Sequence, residues 1–256
     1  MRRAWLVPIV LSTFIAATPA FAQGGARPSP DAKPFDTVNV KLASQPGDPS
    51  FAAFRQNLGA VAKGRVFETL ARNVVSHGFF WDRDFANDFD PKRTGAENLA
   101  TAIRLEQGSG AGWQMLADFA AEPTASAIPT APGVLCAPGR PLFEQDDFDR
   151  LVDATRSSPT EWVYPHTAGV ELRAAPRPAS SPVETLGTYF VRVIHFETVP
   201  ANADPLRTAW TRVAAPSGKI GYVAPDTLNS LAAARLCYIK DITGRWSITG
   251  FIGGGN

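Results

Sequence analysis

The stretch Trp210 to Leu228, WTRVAAPSGKIGYVAPDTL, is decisive for the fold because it holds two short β-patterned runs around a Ser-Gly turn. Apolar and polar residues alternate in both runs, as in strands that bury one face. Gly218 and Gly221 permit tight backbone geometry that a β-carbon would oppose. The stretch predicts a hairpin of a small barrel, and its rings, Trp210 and Tyr222, belong either to the core or to an aromatic groove.

The β pattern continues on both sides of this stretch. Short alternating runs recur after Pro159, with turn-forming residues between them: GVELRAAP, ETLGTYFVRVIHFE, RLCYIKD and RWSITGFI. Gly244, in the turn DITGRW, suits the loop of a further hairpin. Five or more short strands in about 90 residues predict a small β-barrel domain over residues 159–256.

Within this part, several pieces occur in an order that resembles the bacterial SH3-like domain family. The matching pieces are Leu172-Arg173, Pro176, Leu186-Gly187, Trp210 to Val213, and Gly218-Lys219-Ile220-Gly221-Tyr222-Val223. The sequence departs from the family in a longer loop, FETVPANADPLRTA, and in an added C-terminal hairpin. The resemblance implies binding of peptidoglycan or of peptides, rather than catalysis. The candidate ligand-binding residues are Trp210, Tyr222 and Tyr238, and the alternative is that these rings fill a core.

The part before the barrel is predicted to be mainly helical. Asp48 can cap a helix that has Pro49 at its first position, and Thr94 and Glu97 have the spacing of a capping box. A further candidate helix, EQDDFDRLVDATR, has acidic residues in its first turn, where the helix dipole favours them. The fold class expected is therefore α+β, with a helical domain over residues 48–158 followed by the SH3-like β-barrel domain.

The first 22 residues have the features of an export signal. Two arginines precede an apolar run, and Ala20-Phe21-Ala22 supplies the small-x-small pattern that signal peptidase accepts. The apolar run is short for the alternative, an uncleaved anchor, which needs about 20 residues. Residues 1–22 are thus predicted to be a signal peptide, and Gly, Pro and Asp in residues 23–47 predict a flexible leader. A bacterial periplasmic or secreted protein is expected.

Composition argues against two classes of partner. Cleavage after Ala22 removes Arg2 and Arg3, so the formal net charge changes from +1 to −1. Nucleic-acid binding relies on clustered Lys and Arg, which a nearly neutral chain does not offer. No basic amphipathic helix for a membrane surface is present either, and stable membrane insertion after cleavage is not expected.

Two cysteines, Cys136 and Cys237, occur in the exported part. An oxidising compartment favours a disulfide between them, which would close a loop of about 100 residues and contribute roughly 4–5 kcal/mol. Free buried thiols, a reactive cysteine and an intermolecular bond are the alternatives. A cysteine peptidase is disfavoured, because Cys136 lies between prolines in an extended setting and its use would leave Cys237 unpaired.

No motif for catalysis, a metal or another cofactor is found. His77, His166 and His195 are scattered, and neither HExxH nor Cys-x-x-Cys occurs. The acidic segment WDRDFANDFD lacks the glycine and alternation of a calcium loop, so a solvated turn is favoured.

These observations predict an exported, non-enzymatic cell-envelope protein that binds peptidoglycan or a protein segment. A cell-wall hydrolase with an active site in the helical part is the alternative, and an assembly partner in a periplasmic complex is a third.

Overall fold

The computed structural model describes residues 32–106, 108, 110–129, 131–196 and 205–254. The predicted signal peptide, residues 1–22, lies outside them. The helices are α1 (Pro49–Gly64), α2 (Phe67–Ala71), α3 (Gly95–Ala102), α4 (Ala111–Ala121), α5 (Gln145–Thr155) and α6 (Pro205–Thr208). The strands are β1 (Phe80–Asp82), β2 (Ser126–Ile128), β3 (Ala131–Ala137), β4 (Trp162–Pro165), β5 (Val170–Arg173), β6 (Pro182–Leu186), β7 (Val191–Phe196), β8 (Thr211–Ala214), β9 (Ile220–Val223), β10 (Leu228–Ser230), β11 (Arg235–Lys240) and β12 (Trp246–Ile252). In the described part of the chain, no helix is long and apolar enough to cross a bilayer.

The predicted fold class, a mainly helical domain followed by a small closed barrel, is wrong. The described residues form twelve strands in two sheets, with six mostly short helices. The first sheet has the order β1-β12-β11-β3-β2, so it combines strands from the predicted helical part with the last two strands of the chain. β1 and β2 have three residues each, too few to show a period of two, and β1 pairs with β12, which is distant in sequence.

One face of the five-stranded sheet carries the main hydrophobic core. α1 packs against α4, and both α1 and α3 contact β12. Leu58, Leu99 and Leu116, one from each of these three helices, are fully buried. Tyr238 of β11 and Ile248 of β12 meet them from the sheet. The helices are thus a cover for a sheet rather than a separate bundle.

The opposite face of this sheet carries the disulfide, which confirms the sequence prediction. Cys136 of β3 and Cys237 of β11 lie directly opposite each other, with an S–S distance of 2.03 Å. Both side chains are fully buried. The bond closes a loop that contains every strand from β4 to β10.

The second sheet has seven strands in the order β10-β4-β7-β8-β9-β5-β6. β10 and β6 are its edges and are not paired with each other, so the described strands form an open sheet and not a closed barrel. One face supplies a cluster to which all seven strands contribute, including Leu172, Val213 and Val223. Because this cluster comes almost wholly from the sheet itself, the sheet curves around it.

The other face of the second sheet is covered over β4 and β7. α5 contributes Phe148, which lies 4.6 Å from the ring of Phe190 and 6.5 Å from that of Trp162. Residues 32–42, part of the predicted leader, cross the same region, and Val38 and Val40 are buried there. None of the described residues in this cluster comes from β5, β8 or β9. The outer side of those three strands is where the candidate site lies.

Candidate functional site

The register of β8, β9 and β5 places Tyr222 between two arginines. Tyr222 of β9 is opposite Arg212 of β8 on one side and Arg173 of β5 on the other. Residues opposite each other in paired strands project to the same face of a sheet. The three side chains therefore form a row across the outer face, opposite to the face that buries Leu172 and Val213.

Trp210 lies immediately before β8, two positions before Arg212, which is the spacing of residues on one face of a strand. It is partly buried. Within the described part of the chain, its indole N–H makes no hydrogen bond. The more deeply buried tryptophans differ: Trp81 donates to the Asp84 carbonyl at 2.8 Å, Trp162 to Ser157 Oγ at 2.8 Å, and Trp246 to Ser50 Oγ at 3.0 Å. The indole N–H of Trp210 thus has no acceptor among the described residues.

Tyr222 has the same property. It is partly buried, and its hydroxyl makes no hydrogen bond with any residue that the structure describes. Its neighbour Arg173 is held in place, since Nη1 donates to the Ser180 carbonyl at 2.6 Å and Nη2 pairs with Glu171. We call the surface formed by Trp210, Arg212, Tyr222 and Arg173 the aromatic–arginine face.

Tyr238, the third candidate ligand-binding residue, lies elsewhere. It is on β11, is fully buried, and packs edge-on against Phe51 at 5.2 Å and Phe54 at 5.9 Å. Burial raises the pKa of its hydroxyl. A ligand could touch this ring only if α1 moved away from the sheet, so Tyr238 is not part of the aromatic–arginine face.

The side chains that could take part in catalysis or bind a metal do not lie together in the described part of the chain. His77, His166 and His195 are exposed and lie on different elements. Among the described residues, no group of three or more His, Cys, Asp or Glu side chains could hold a metal ion. In the acidic segment, Asp82 accepts from the Arg83 backbone N–H and Asp90 from that of Lys92, each at 2.9 Å. These two carboxylates thus accept hydrogen bonds from their own turns.

Four carboxyl groups of the described residues have pKa values below their ordinary range, and each accepts hydrogen bonds from a local cap or turn; the fourth is Glu161, which accepts from the Ser158 backbone and from Arg192. Hydrogen bonds from the Lys240 ammonium and from Ser50 lower the pKa of Asp48 to about 2. The backbone N–H and hydroxyl of Thr94 lower that of Glu97, and Thr243 and Arg245 lower that of Asp241. A general acid requires the opposite shift. These four carboxylates therefore have the environment of structural anions rather than of general acids.

The sequence indicated the aromatic residues of this face but not its arginines. Arg212 could have been predicted from the string WTR, because the alternation of a strand puts Arg212 on the same face as Trp210. The position of Arg173 could not be read in this way, since it depends on the pairing of β5 with β9, which is distant in sequence.

Comparisons of the chain with known protein families, with characterised proteins and with solved structures find no match.

Proposed function

We propose that this is an exported, non-enzymatic binding or adaptor protein of the bacterial cell envelope, and that the aromatic–arginine face is its contact surface for peptidoglycan. The observation that carries the proposal is the pairing of partly exposed aromatic and cationic groups: the Trp210 N–H and the Tyr222 O–H make no hydrogen bond with the described residues, and Tyr222 has an arginine on each side. Aromatic rings stack on sugar rings while their polar ends hydrogen-bond, and guanidinium groups pair with carboxylates. Peptidoglycan offers both sugars and peptide carboxylates.

Two further observations support an envelope location. The sequence begins with the pattern of an export signal, and the buried disulfide between Cys136 and Cys237 is typical of an oxidising compartment. The resemblance of residues 169–228 to bacterial SH3-like domains agrees with a binding role, and all four residues of the aromatic–arginine face lie in the pieces that carry this resemblance.

Retention on purified cell-wall sacculi tests the proposal. We expect the wild type to be retained, and Trp210→Ala and Tyr222→Ala each to weaken retention by about tenfold, which corresponds to a loss of about 1.4 kcal/mol of binding free energy. Phe85→Ala is the matched control, because Phe85 is an aromatic side chain that is 61% exposed and lies next to the other sheet. Thermal melting must show that every variant is folded.

The outcomes separate the alternatives. Failure of the wild type to bind sacculi contradicts the peptidoglycan proposal, and cross-linking in cells then tests for an envelope protein as the partner. Equal losses for Phe85→Ala and Trp210→Ala would remove the assignment of the surface. Clearing of a cell-wall zymogram by the wild type would show hydrolysis and contradict a non-enzymatic role.

A further inference from the structure

A groove of about 500 Å³ lies on the five-stranded sheet, away from the aromatic–arginine face. This volume is within the range of small-molecule sites, roughly 300–1,000 Å³. Its walls come from the segment after α2, from β11 and from the β11–β12 hairpin. The lining side chains that can donate hydrogen bonds are Arg72, Ser76, His77, Arg245 and Ser247.

The two arginines are the electrostatic feature of this groove. Neither Arg72 nor Arg245 forms an ion pair or a side-chain hydrogen bond with any residue in the described part of the chain. Other arginines do form such pairs, for example Arg192 with Glu161 at 2.8 Å. Two arginines that line one groove and form no ion pair with described residues are suited to bind an external anion.

The carboxylate that lines the groove, Asp241, is close enough for the charge of Arg245 to lower its pKa, but within the described residues it forms no ion pair with either arginine. Asp241 Oδ1 accepts hydrogen bonds from Thr243 N at 2.8 Å, Thr243 Oγ1 at 2.6 Å and Arg245 N at 2.9 Å. These bonds lower the pKa of Asp241 and fix the hairpin turn. The backbone of Arg245 is therefore held by the turn, while its guanidinium makes no hydrogen bond or ion pair within the described part of the chain.

The remaining lining is apolar. Val74, Val75 and Ile239 contribute to the groove. Val74 and Val75 are fixed by a parallel bridge to β12, in which Val75 N donates to the Ile248 carbonyl at 2.9 Å. The walls therefore combine rigid apolar surface with two cations and two hydroxyl donors.

We propose that this groove binds a small ligand through an oxyanion, either a carboxylate or a phosphate, with Arg72 and Arg245 as the anion-binding residues and Ser76 and Ser247 as additional donors. The apolar walls accommodate the carbon skeleton next to the anion. This site is distinct from the aromatic–arginine face, which belongs to the other sheet, and it does not depend on the function proposed for that face.

Titration calorimetry on the exported chain at low salt tests the proposal. The probes are inorganic phosphate, the dipeptide acetyl-Ala-Ala with its free carboxylate, and the same dipeptide as the amide. We expect one of the two anions to bind, and Arg72→Gln and Arg245→Gln each to weaken it by about tenfold, as expected for loss of a charge-assisted hydrogen bond. Arg177→Gln is the matched control, since Arg177 is exposed in the turn between β5 and β6.

Binding of phosphate alone would identify a phosphate ligand, and binding of the acid dipeptide alone a carboxylate ligand. The proposal is overturned if the wild type binds neither anion, if the amide binds as tightly as the acid, or if the double variant Arg72→Gln/Arg245→Gln binds like the wild type. Trp210→Ala should leave this binding unchanged, and a loss as large as that of Arg245→Gln would place the anion at the other surface.

Discussion

Two polar side chains lie in the core beneath α1 without hydrogen bonds to described protein atoms. They are Tyr238, through its hydroxyl, and Arg55, through Nε and Nη1. Arg55 is 8% exposed, and its guanidinium carbon is 5.3 Å from the centre of the Phe51 ring, a cation–π geometry. A buried hydroxyl without a partner costs about 1–3 kcal/mol. The ring of Tyr238 stabilises the core, and its hydroxyl does not.

We therefore expect Tyr238→Phe to leave the free energy of unfolding unchanged or to raise it by up to about 1 kcal/mol. Tyr238→Ala should lower it by about 3–5 kcal/mol, because the cavity removes contacts with Phe51 and Phe54. Urea unfolding measures both variants. A loss of more than about 1 kcal/mol in Tyr238→Phe would show that the hydroxyl has a hydrogen-bond partner.

Asp48 is a second residue whose environment gives a definite expectation. Its Oδ1 accepts from Ser50 N at 2.9 Å at the start of α1, and its Oδ2 accepts from Lys240 Nζ at 2.8 Å. These bonds lower its pKa to about 2, so the carboxylate stabilises the fold above its ordinary pKa and this contribution is lost as the pH falls through about 2.

Asp48→Asn should accordingly melt at a lower temperature than the wild type near neutral pH. The difference should shrink as the pH falls from about 4 to about 2, because the wild-type carboxyl then becomes protonated. Thermal unfolding followed by circular dichroism over this pH range measures the difference. Asp36→Asn, at an exposed position, serves as the control. A difference that stays constant with pH would contradict the assigned cause.

At the scale of elements, local signals predicted where helices begin. α1 begins at Pro49 with Asp48 as its cap, and α3 begins after Thr94 with both hydrogen bonds of the predicted capping box formed with Glu97. These features depend on neighbours three or four residues away, which the sequence displays directly. α2, in contrast, has only five residues. It ends at Ala71, and Val74, three residues later, pairs alongside β12.

The pairing of strands could not be predicted from local sequence patterns. β12 joins β1 across most of the chain, and β11 joins β3 across the whole second sheet. In the candidate site, the sequence pattern indicated Trp210 and Tyr222. Arg173 belongs to the site only because β5 pairs with β9, which the sequence pattern does not show. A period of two shows that a strand has two faces, but it does not show which strand lies beside it.

The contact between β9 and β5 depends on Gly221. A β-carbon at this position would lie 2.6 Å from the Arg173 carbonyl oxygen and 2.8 Å from Leu172 Cγ. Gly221→Ala must therefore displace β5, and we expect it to lower the free energy of unfolding by about 1–3 kcal/mol. Gly47→Ala is the control, because nothing lies within 4 Å of a β-carbon there. Equal urea midpoints for the two variants would contradict this account.

At the scale of the whole molecule, the seven-stranded sheet is an insertion into the five-stranded one. The chain leaves the first sheet at β3 and returns at β11, and these two strands pair with each other. Arg235 supports the junction: its Nε donates to the Pro138 carbonyl at 2.9 Å, and its Nη2 to Ser126 Oγ at 3.0 Å. Burial lowers its pKa to about 10, so it remains charged at neutral pH. The pairing of β3 with β11 and the buried guanidinium of Arg235 thus hold together the two places where the chain leaves the first sheet and returns to it.

The disulfide acts at this same junction, so its removal tests the insertion as a whole. Cys136 and Cys237 are 101 residues apart, and a loop of this length corresponds to about 4–5 kcal/mol of chain entropy in the unfolded state. The double variant Cys136→Ser/Cys237→Ser should lose about this much in urea unfolding, with both sheets affected because the insertion lies inside the loop. Reduction should weaken the wild type similarly and leave the variant unchanged. A variant as stable as the oxidised wild type would mean that β3–β11 pairing alone restrains the inserted sheet.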